Sequence, residues 1–141
     1  MNSKNFLIGG IAGGIVSFAL GYLFYGLLFM NFFNSKSYIT VELASINWAV
    51  NILSNLGFGF LFAYLLSKTT ITKIGEGVVF GLIAGFLLEI SFDLGFYSFG
   101  QGYKTIGAIV ADVVLTGIID AVIAAVIIWL NGMGKKTIAE K

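Results

Sequence analysis

Four long apolar segments, separated by short polar ones, make up most of the 141-residue chain. They cover residues 6–33, 46–67, 74–99 and 106–130, so each has 22 to 28 residues. A helix needs about 20 residues to cross a bilayer. The apolar runs are continuous and lack the alternation expected of barrel strands. The pattern predicts an all-α integral membrane protein, a bundle of four transmembrane helices in a single domain, residues 1–141, with a polar C-terminal tail at 132–141.

Small or polar residues recur at every fourth position along each predicted helix. Residues four apart lie near one face of a helix, so these lines predict seams of close helix packing. The lines are Gly9, Gly13, Ser17, Gly21 and Tyr25 in the first helix; Asn47, Asn51, Asn55, Gly59 and Ala63 in the second; Gly77, Gly81, Gly85, Glu89 and Asp93 in the third; and Ala108, Asp112, Thr116, Asp120 and Ala124 in the fourth.

The two predicted hairpins can be aligned on these lines. Two parallel repeats of one hairpin are one interpretation, and transporters built from repeats bind their substrates at the interface between them. The aligned residues are common in any membrane helix, so four unrelated helices remain the alternative. The alignment pairs Gly9 with Gly77, Gly21 with Glu89, Asn51 with Asp112 and Asn55 with Thr116.

Composition narrows the chemistry. The chain is 58% hydrophobic and 11% charged, with a net charge of +1 and no Arg, Cys or His. That charge gives no basis for binding nucleic acid, and the missing ligands argue against disulfides and zinc, copper or iron sites. The glycine run at 9–14 begins a membrane helix and follows no strand, so it is no nucleotide-binding loop. We expect no enzyme and no cofactor.

The lysines predict the orientation of the chain. Cytoplasmic loops of membrane proteins carry an excess of Lys and Arg. Both termini and the loop at 68–73 are therefore predicted to be cytoplasmic (N-in/C-in), with the loops around 35–45 and 100–105 outside. The cytoplasmic set is Lys4, Lys68, Lys73, Lys135, Lys136 and Lys141, against Lys36 and Lys104 outside.

Four carboxylates, Glu89, Asp93, Asp112 and Asp120, lie well inside the third and fourth apolar segments, which contain no basic residue that could neutralise them. An acidic side chain at the centre of a membrane helix costs about 2.5 to 3.5 kcal/mol, so a function for them is expected. Counted inward from the outer helix ends, they and three polar neighbours form layers. Asn51, Asp93 and Asp112 lie outermost, Asn55, Glu89 and Thr116 come next, and Asp120 is deepest. The layers predict an acidic cup open to the outside and closed by glycine seams towards the cytoplasm.

Carboxylates, amides and a hydroxyl are ligands for hard ions, so Na⁺, Ca²⁺, Mg²⁺ or a proton are the expected occupants. We predict that Glu89 and Asp120 bind the ion, that Asp93 and Asp112 attract it, and that Asn51, Asn55 and Thr116 assist. An organic cation is a further candidate, because Tyr22, Tyr25, Trp48 and Tyr64 offer aromatic faces. The alternative is that the acids are protonated and hydrogen-bond one helix to another.

The segment SFALGYLFYGLLFMNFF, residues 17–33, resembles a widespread family of small bacterial four-helix membrane proteins with no assigned function. The likeness is an aromatic-x-aromatic-Tyr cluster at 22–25, followed by a Phe-rich helix end. This chain lacks the Pro and the Gly-Lys pair that the family has after the tyrosine. The resemblance implies the architecture and a multi-pass location in the bacterial inner membrane, and it implies no mechanism.

The leading hypothesis is a small cation-binding membrane protein, a secondary transporter or ion-coupled carrier. Four short helices offer little surface for alternating access, so such a carrier is expected to be a homodimer. The alternative is a non-catalytic membrane subunit or assembly partner whose glycine seams dock other membrane proteins.

Overall fold

The structure, a computed structural model, describes the backbone of residues 2–139 and the side chains of residues 2–132. The described residues are almost entirely helical, and four segments are long and apolar enough to cross a membrane, which confirms the predicted all-α four-helix bundle. The chain is a multi-pass membrane protein by this measure. The helices are α1 (Ser3–Gly21), a π-helix (Tyr22–Leu28), α2 (Met30–Lys36), a 3₁₀ turn (Leu43–Ser45), α3 (Trp48–Ser67), α4 (Ile74–Ser98) and α5 (Ile106–Ala139).

The first apolar segment is not the single continuous helix predicted over 6–33. Its α-helix ends at Gly21 and continues as the π-helix, in which the Phe29 N–H donates to the Phe24 carbonyl five residues back, at 2.8 Å. The chain then breaks at Phe29 and resumes as the short helix α2. A π-helix is wider than an α-helix, so its side chains lie at positions that an unbroken 3.6-residue period does not predict.

The other helices begin close to their predicted starts. α3 begins after Asn47, whose side-chain oxygen accepts from the Val50 N–H at 3.3 Å and caps the helix. α5 continues to Ala139 in place of ending near residue 130, so the backbone of most of the predicted tail is helical.

The helices pack in the order α3, α1, α5, α4, with α1 and α5 in the centre. Phe62 on α3 and Ile123 and Ile127 on α5 are fully buried where α1, α3 and α5 meet. Gly13 on α1 lets α3 approach so closely that a Cβ there would lie 3.2 Å from the Cα of Gly59. The glycine lines therefore act as packing seams.

The two hairpins, α1 with α3 and α4 with α5, are built alike. Gly9 faces Ala63 in the first, and Gly77 faces Ala124 in the second, at positions that the sequence alignment pairs. The hairpins meet through α1 and α5, whereas α3 and α4 touch at most marginally among the described residues. A two-fold relation would require both contacts, so the bundle is not two-fold symmetric and the repeat stays a prediction.

The two loops predicted to face outward lie at the same end of the bundle and are joined by backbone hydrogen bonds. The Tyr38 N–H donates to the Gly102 carbonyl at 2.9 Å, and the Lys104 N–H donates to the Lys36 carbonyl at 2.6 Å. Gly102 has a φ of +71°, a left-handed conformation that glycine adopts without strain. The joined loops cover this end of the helices and bring Tyr103 over the bundle.

Candidate functional site

Three of the four predicted acids come together between α4 and α5. Glu89 and Asp93 lie one turn apart on α4, Asp112 faces them from α5, and one carboxylate oxygen from each lies within 4.8 Å of the others. We call these three residues the acid cluster. Asp93 and Asp112 are buried, with exposed fractions of 8% and 5%. No lysine forms an ion pair with the cluster in the part of the chain that the structure describes.

One fully buried oxygen of the acid cluster has no hydrogen-bond partner among the described residues. Asp93 Oδ2 is buried, and no donor contacts it among the described residues. A buried polar atom left without a partner costs about 1 to 3 kcal/mol, so native proteins seldom leave one unsatisfied. Asp93 Oδ2 is such an atom in the part of the chain that the structure describes.

Hydroxyl groups bound the cluster on the side of α1. The Tyr25 hydroxyl, on the π-helix, donates a hydrogen bond to Asp112 Oδ1, and it lies 3.0 Å from the Thr116 hydroxyl. The Tyr103 hydroxyl, from the loop before α5, also lies against Asp112. Burial and the neighbouring Asp112 charge raise the pKa of Tyr103 well above its usual value, so this hydroxyl stays neutral and can donate.

Asp120 does not join the cluster. Its exposed fraction is 1%, and it packs against Gly81 and Gly85 of α4, with Oδ2 lacking a partner among the described residues. α4 and α5 run antiparallel, so residue numbers rise towards the outside along α4 and fall towards the outside along α5. Glu89 consequently faces the layer of Asp112, and it also lies close enough to Asp120 for the two charges to interact, so their joint role as ligands stays a prediction.

Asn51 and Asn55 lie on α3, separate from the acid cluster. The Ser17 hydroxyl donates to Asn55 Oδ1 at 2.7 Å, and Asn55 Nδ2 donates to the Asn51 carbonyl at 2.8 Å. The first bond joins α1 to α3, as expected of polar side chains that hold membrane helices together. Both asparagines also line a cavity, described next.

A cavity of about 400 Å³ lies between the π-helix, the start of α3 and the loop that joins them. The predicted cup was to be acidic, but none of the four acids lines this cavity. Tyr25 and Tyr103 form part of its wall and contact Asp112 as well, so they separate the cavity from the acid cluster. This cavity is therefore not the predicted acidic cup, because its lining is aromatic, amide and apolar.

Sequence reasoning treated Tyr25 and Tyr103 differently. Tyr25 ends the every-fourth line of the first helix and was named only as an aromatic face, although its place in a polar line was a signal for a hydrogen-bonding role. Tyr103 lies in a six-residue loop, where no periodicity indicates its direction. Of the four aromatic residues proposed for an organic cation, Tyr22, Tyr25 and Trp48 line the cavity, whereas Tyr64 lies beside Lys68 at the opposite end of α3.

The Tyr25→Phe variant is expected to be less stable by about 1 to 2 kcal/mol, because Asp112 loses a donor and the contact between the hairpins loses a hydrogen bond. Tyr22→Phe is the matched control, since the Tyr22 hydroxyl has no hydrogen bond among the described residues. Unfolding in a mild detergent titrated with dodecyl sulfate measures both. Equal midpoints for the two variants would show that the Tyr25 bond contributes nothing.

Comparison of the chain with models of protein families, with curated proteins and with solved structures gives no match. The resemblance to small bacterial four-helix membrane proteins accordingly stays a prediction.

Proposed function

We propose that this protein binds a cation at the acid cluster and carries it across the membrane as a secondary transporter or ion-coupled carrier. The observation that carries the proposal is the buried Asp93 Oδ2, which has no partner within residues 2–132, in a group of three carboxylates to which no lysine of that range is paired. The same proposal places the protein in the bacterial inner membrane, with both termini in the cytoplasm. It also holds that two copies of the chain form the carrier.

Electrostatics supports a positively charged occupant. Two unit charges 4.8 Å apart repel by about 3 kcal/mol at an effective dielectric constant of about 20, and the cluster contains three such pairs. A bound cation or proton removes this repulsion and supplies the missing partner of Asp93. The donors are all oxygen atoms, with hydroxyls of Tyr25 and Thr116 beside them, which suits a proton, Na⁺, Ca²⁺ or Mg²⁺.

The arrangement along α5 supports movement of the cation. Asp120 follows Asp112 by eight residues, or about 12 Å along the helix, and is the next acid that a cation leaving the cluster inward would meet. Thr116 lies between them on the same face. Beyond Asp120, the packing of Gly77 against Ala124 and Ile128 closes the inner half. In this proposal, release to the cytoplasm requires that α4 and α5 separate there.

The Asp93→Asn variant is expected to lose the stabilisation that a bound cation confers. Purified protein is heated in detergent with Na⁺, Ca²⁺ or Mg²⁺ at constant ionic strength, and at several pH values without added metal. A ligand at about 100 times its Kd stabilises the folded state by about 2.7 kcal/mol, so the wild-type unfolding temperature should rise with at least one cation or change with pH.

Glu76→Gln is the matched control, because Glu76 lies on the same helix, is exposed and pairs with Lys73 at 3.5 Å. It should respond as the wild type does. Identical responses of wild type and Asp93→Asn to every cation and to pH would refute the cluster as an ion site, and would favour a subunit whose buried acids serve only packing.

A further inference from the structure

The 400 Å³ cavity beside the acid cluster has the volume of a site for a small organic molecule. Its outer wall is held in place by the connection between α2 and α3. There the Asn34 side chain donates to the Val41 carbonyl at 2.8 Å and accepts from the Val41 N–H at 2.9 Å. The bridge between Ser37 and Tyr103 closes the side towards α5. The cavity is therefore bounded by hydrogen-bonded structure on two sides.

Aromatic rings form much of the lining. Trp48 sits between Phe18 and Tyr22, with edge-on contacts at ring-centre distances of 6.2 and 5.9 Å. Tyr25 and Tyr103 add two further rings on the side of the acid cluster. The faces of aromatic rings carry partial negative charge and attract cations, most strongly where water is excluded.

The charges around the cavity also favour a positively charged ligand. Among the described residues, no lysine and no acid lines the cavity, so an ionic ligand would meet no fixed charge of theirs in direct contact. Of the charged residues around the cavity, Lys36, Glu42 and Lys104 adjoin lining residues in the sequence, and the three carboxylates of the acid cluster lie behind Tyr25 and Tyr103. The acids outnumber the lysines here, and the acid cluster is the one dense group among them. Its field attracts a cation in the cavity and repels an anion, because an environment of low polarity screens charges weakly.

We infer that this cavity binds a small organic cation, an ammonium or guanidinium on a compact apolar body, held by the rings of Tyr22, Tyr25 and Trp48 and attracted by the acids behind Tyr25. The inference rests on the proposed function in one respect only, that the acid cluster carries negative charge. It adds a second site and a second class of ligand. Tyr25 touches both sites, so their occupancies are linked through one side chain.

Fluorescence of Trp48 tests the inference. The chain has two tryptophans, and Trp129 lies on α5, half exposed and outside the cavity. The Trp129→Phe protein therefore keeps Trp48 as its single reporter. It is titrated in detergent with benzyltrimethylammonium and, separately, with neopentylbenzene, which has the same shape and no charge. The expected result is a saturable change with the cation and only a linear, partition-like change with the neutral probe.

Variants in the same background locate the site. Tyr22→Leu should weaken cation binding about threefold to tenfold, the effect of losing one cation–ring contact. Asp112→Asn should weaken it by a similar factor through the loss of charge behind Tyr25. Tyr64→Leu is the control, since Tyr64 does not line the cavity, and should bind as the parent does. Trp48→Phe, with Trp129 as reporter, should give no saturable signal.

These experiments distinguish failure of the organic-cation site from failure of the proposed ion site. Saturation by both probes alike, or by neither, overturns it, as does unchanged affinity in Tyr22→Leu. If the organic cation binds as expected but Asp93→Asn leaves every response to inorganic ions and pH intact, the cavity site stands and the inorganic ion site fails. If the ion responses depend on Asp93 and the organic cation does not bind, the reverse holds.

Discussion

Gly81→Ala is expected to destabilise the protein by about 2 kcal/mol or more and to abolish cation binding in the same step. A Cβ at Gly81 would overlap the main chain of α5 at Asp120 and Ala121, and backbone atoms cannot move aside as a flexible side chain can. Overpacking of a close contact costs about 1 to 3 kcal/mol even where side chains adjust. The helices must separate, which moves Glu89 and Asp93 away from Asp112.

Gly95→Ala is the matched control on the same helix, because no atom lies within 4 Å of a Cβ there. It should unfold at or slightly above the wild-type temperature, since Ala favours helix more than Gly does. Both variants are measured by thermal unfolding in detergent, with and without the cation that stabilises the wild type. A Gly81→Ala protein as stable as Gly95→Ala would contradict the close crossing of α4 and α5.

Removal of all three carboxylates of the acid cluster should stop cation movement. The variant carries Glu89→Gln, Asp93→Asn and Asp112→Asn, which keep side-chain shape and hydrogen bonding while removing charge. Reconstituted in liposomes under a gradient of the cation that stabilises the wild type, it should show a flux at least about tenfold lower, because loss of a charge-assisted site raises the free energy of the bound cation by more than 1.4 kcal/mol.

A double variant of exposed acids, Glu42→Gln with Glu76→Gln, removes two negative charges against three in the triple variant, so it controls for most of the change in net charge, and it should retain the flux. The carrier proposal fails if the triple variant moves the cation as fast as the wild type. It also fails, with ion binding left standing, if the wild type binds the cation and yet shows no more flux than empty liposomes.

The sequence indicated the depth of each acid along its helix and left the contacts between the acids open. The depth order along α4 and α5 placed Asp93 beside Asp112, and the structure brings these two together. Glu89 was expected to bind the ion together with Asp120, and the structure also brings it together with Asp93 and Asp112. Depth alone does not say which residues of two helices face each other, because that depends on the height at which the helices cross. Here Gly81 and Gly85 meet Asp120, and this contact sets the register.

The π-helix was not foreseen. It arises where one backbone hydrogen bond reaches back five residues, and neither Pro nor a break in hydrophobicity marks the place. It positions Tyr25 to reach Asp112 while lining the cavity, so the link between the two hairpins depends on it. A prediction that assumes 3.6 residues per turn throughout the first helix therefore misses the contact between Tyr25 and Asp112.

Membrane residence, the number of spans and the presence of unneutralised acids within them follow from local composition, since a bilayer selects each segment by its own length and polarity. The packing of the glycine seams could also be predicted from the sequence, because small residues four apart lie near one face of their own helix. The grouping of Glu89 with Asp93 and Asp112, the position of Asp120 against Gly81 and Gly85, and the two tyrosines between acids and cavity depend on distances between segments. Those distances arise only when helices pack at a particular height and angle, and no single segment contains that information.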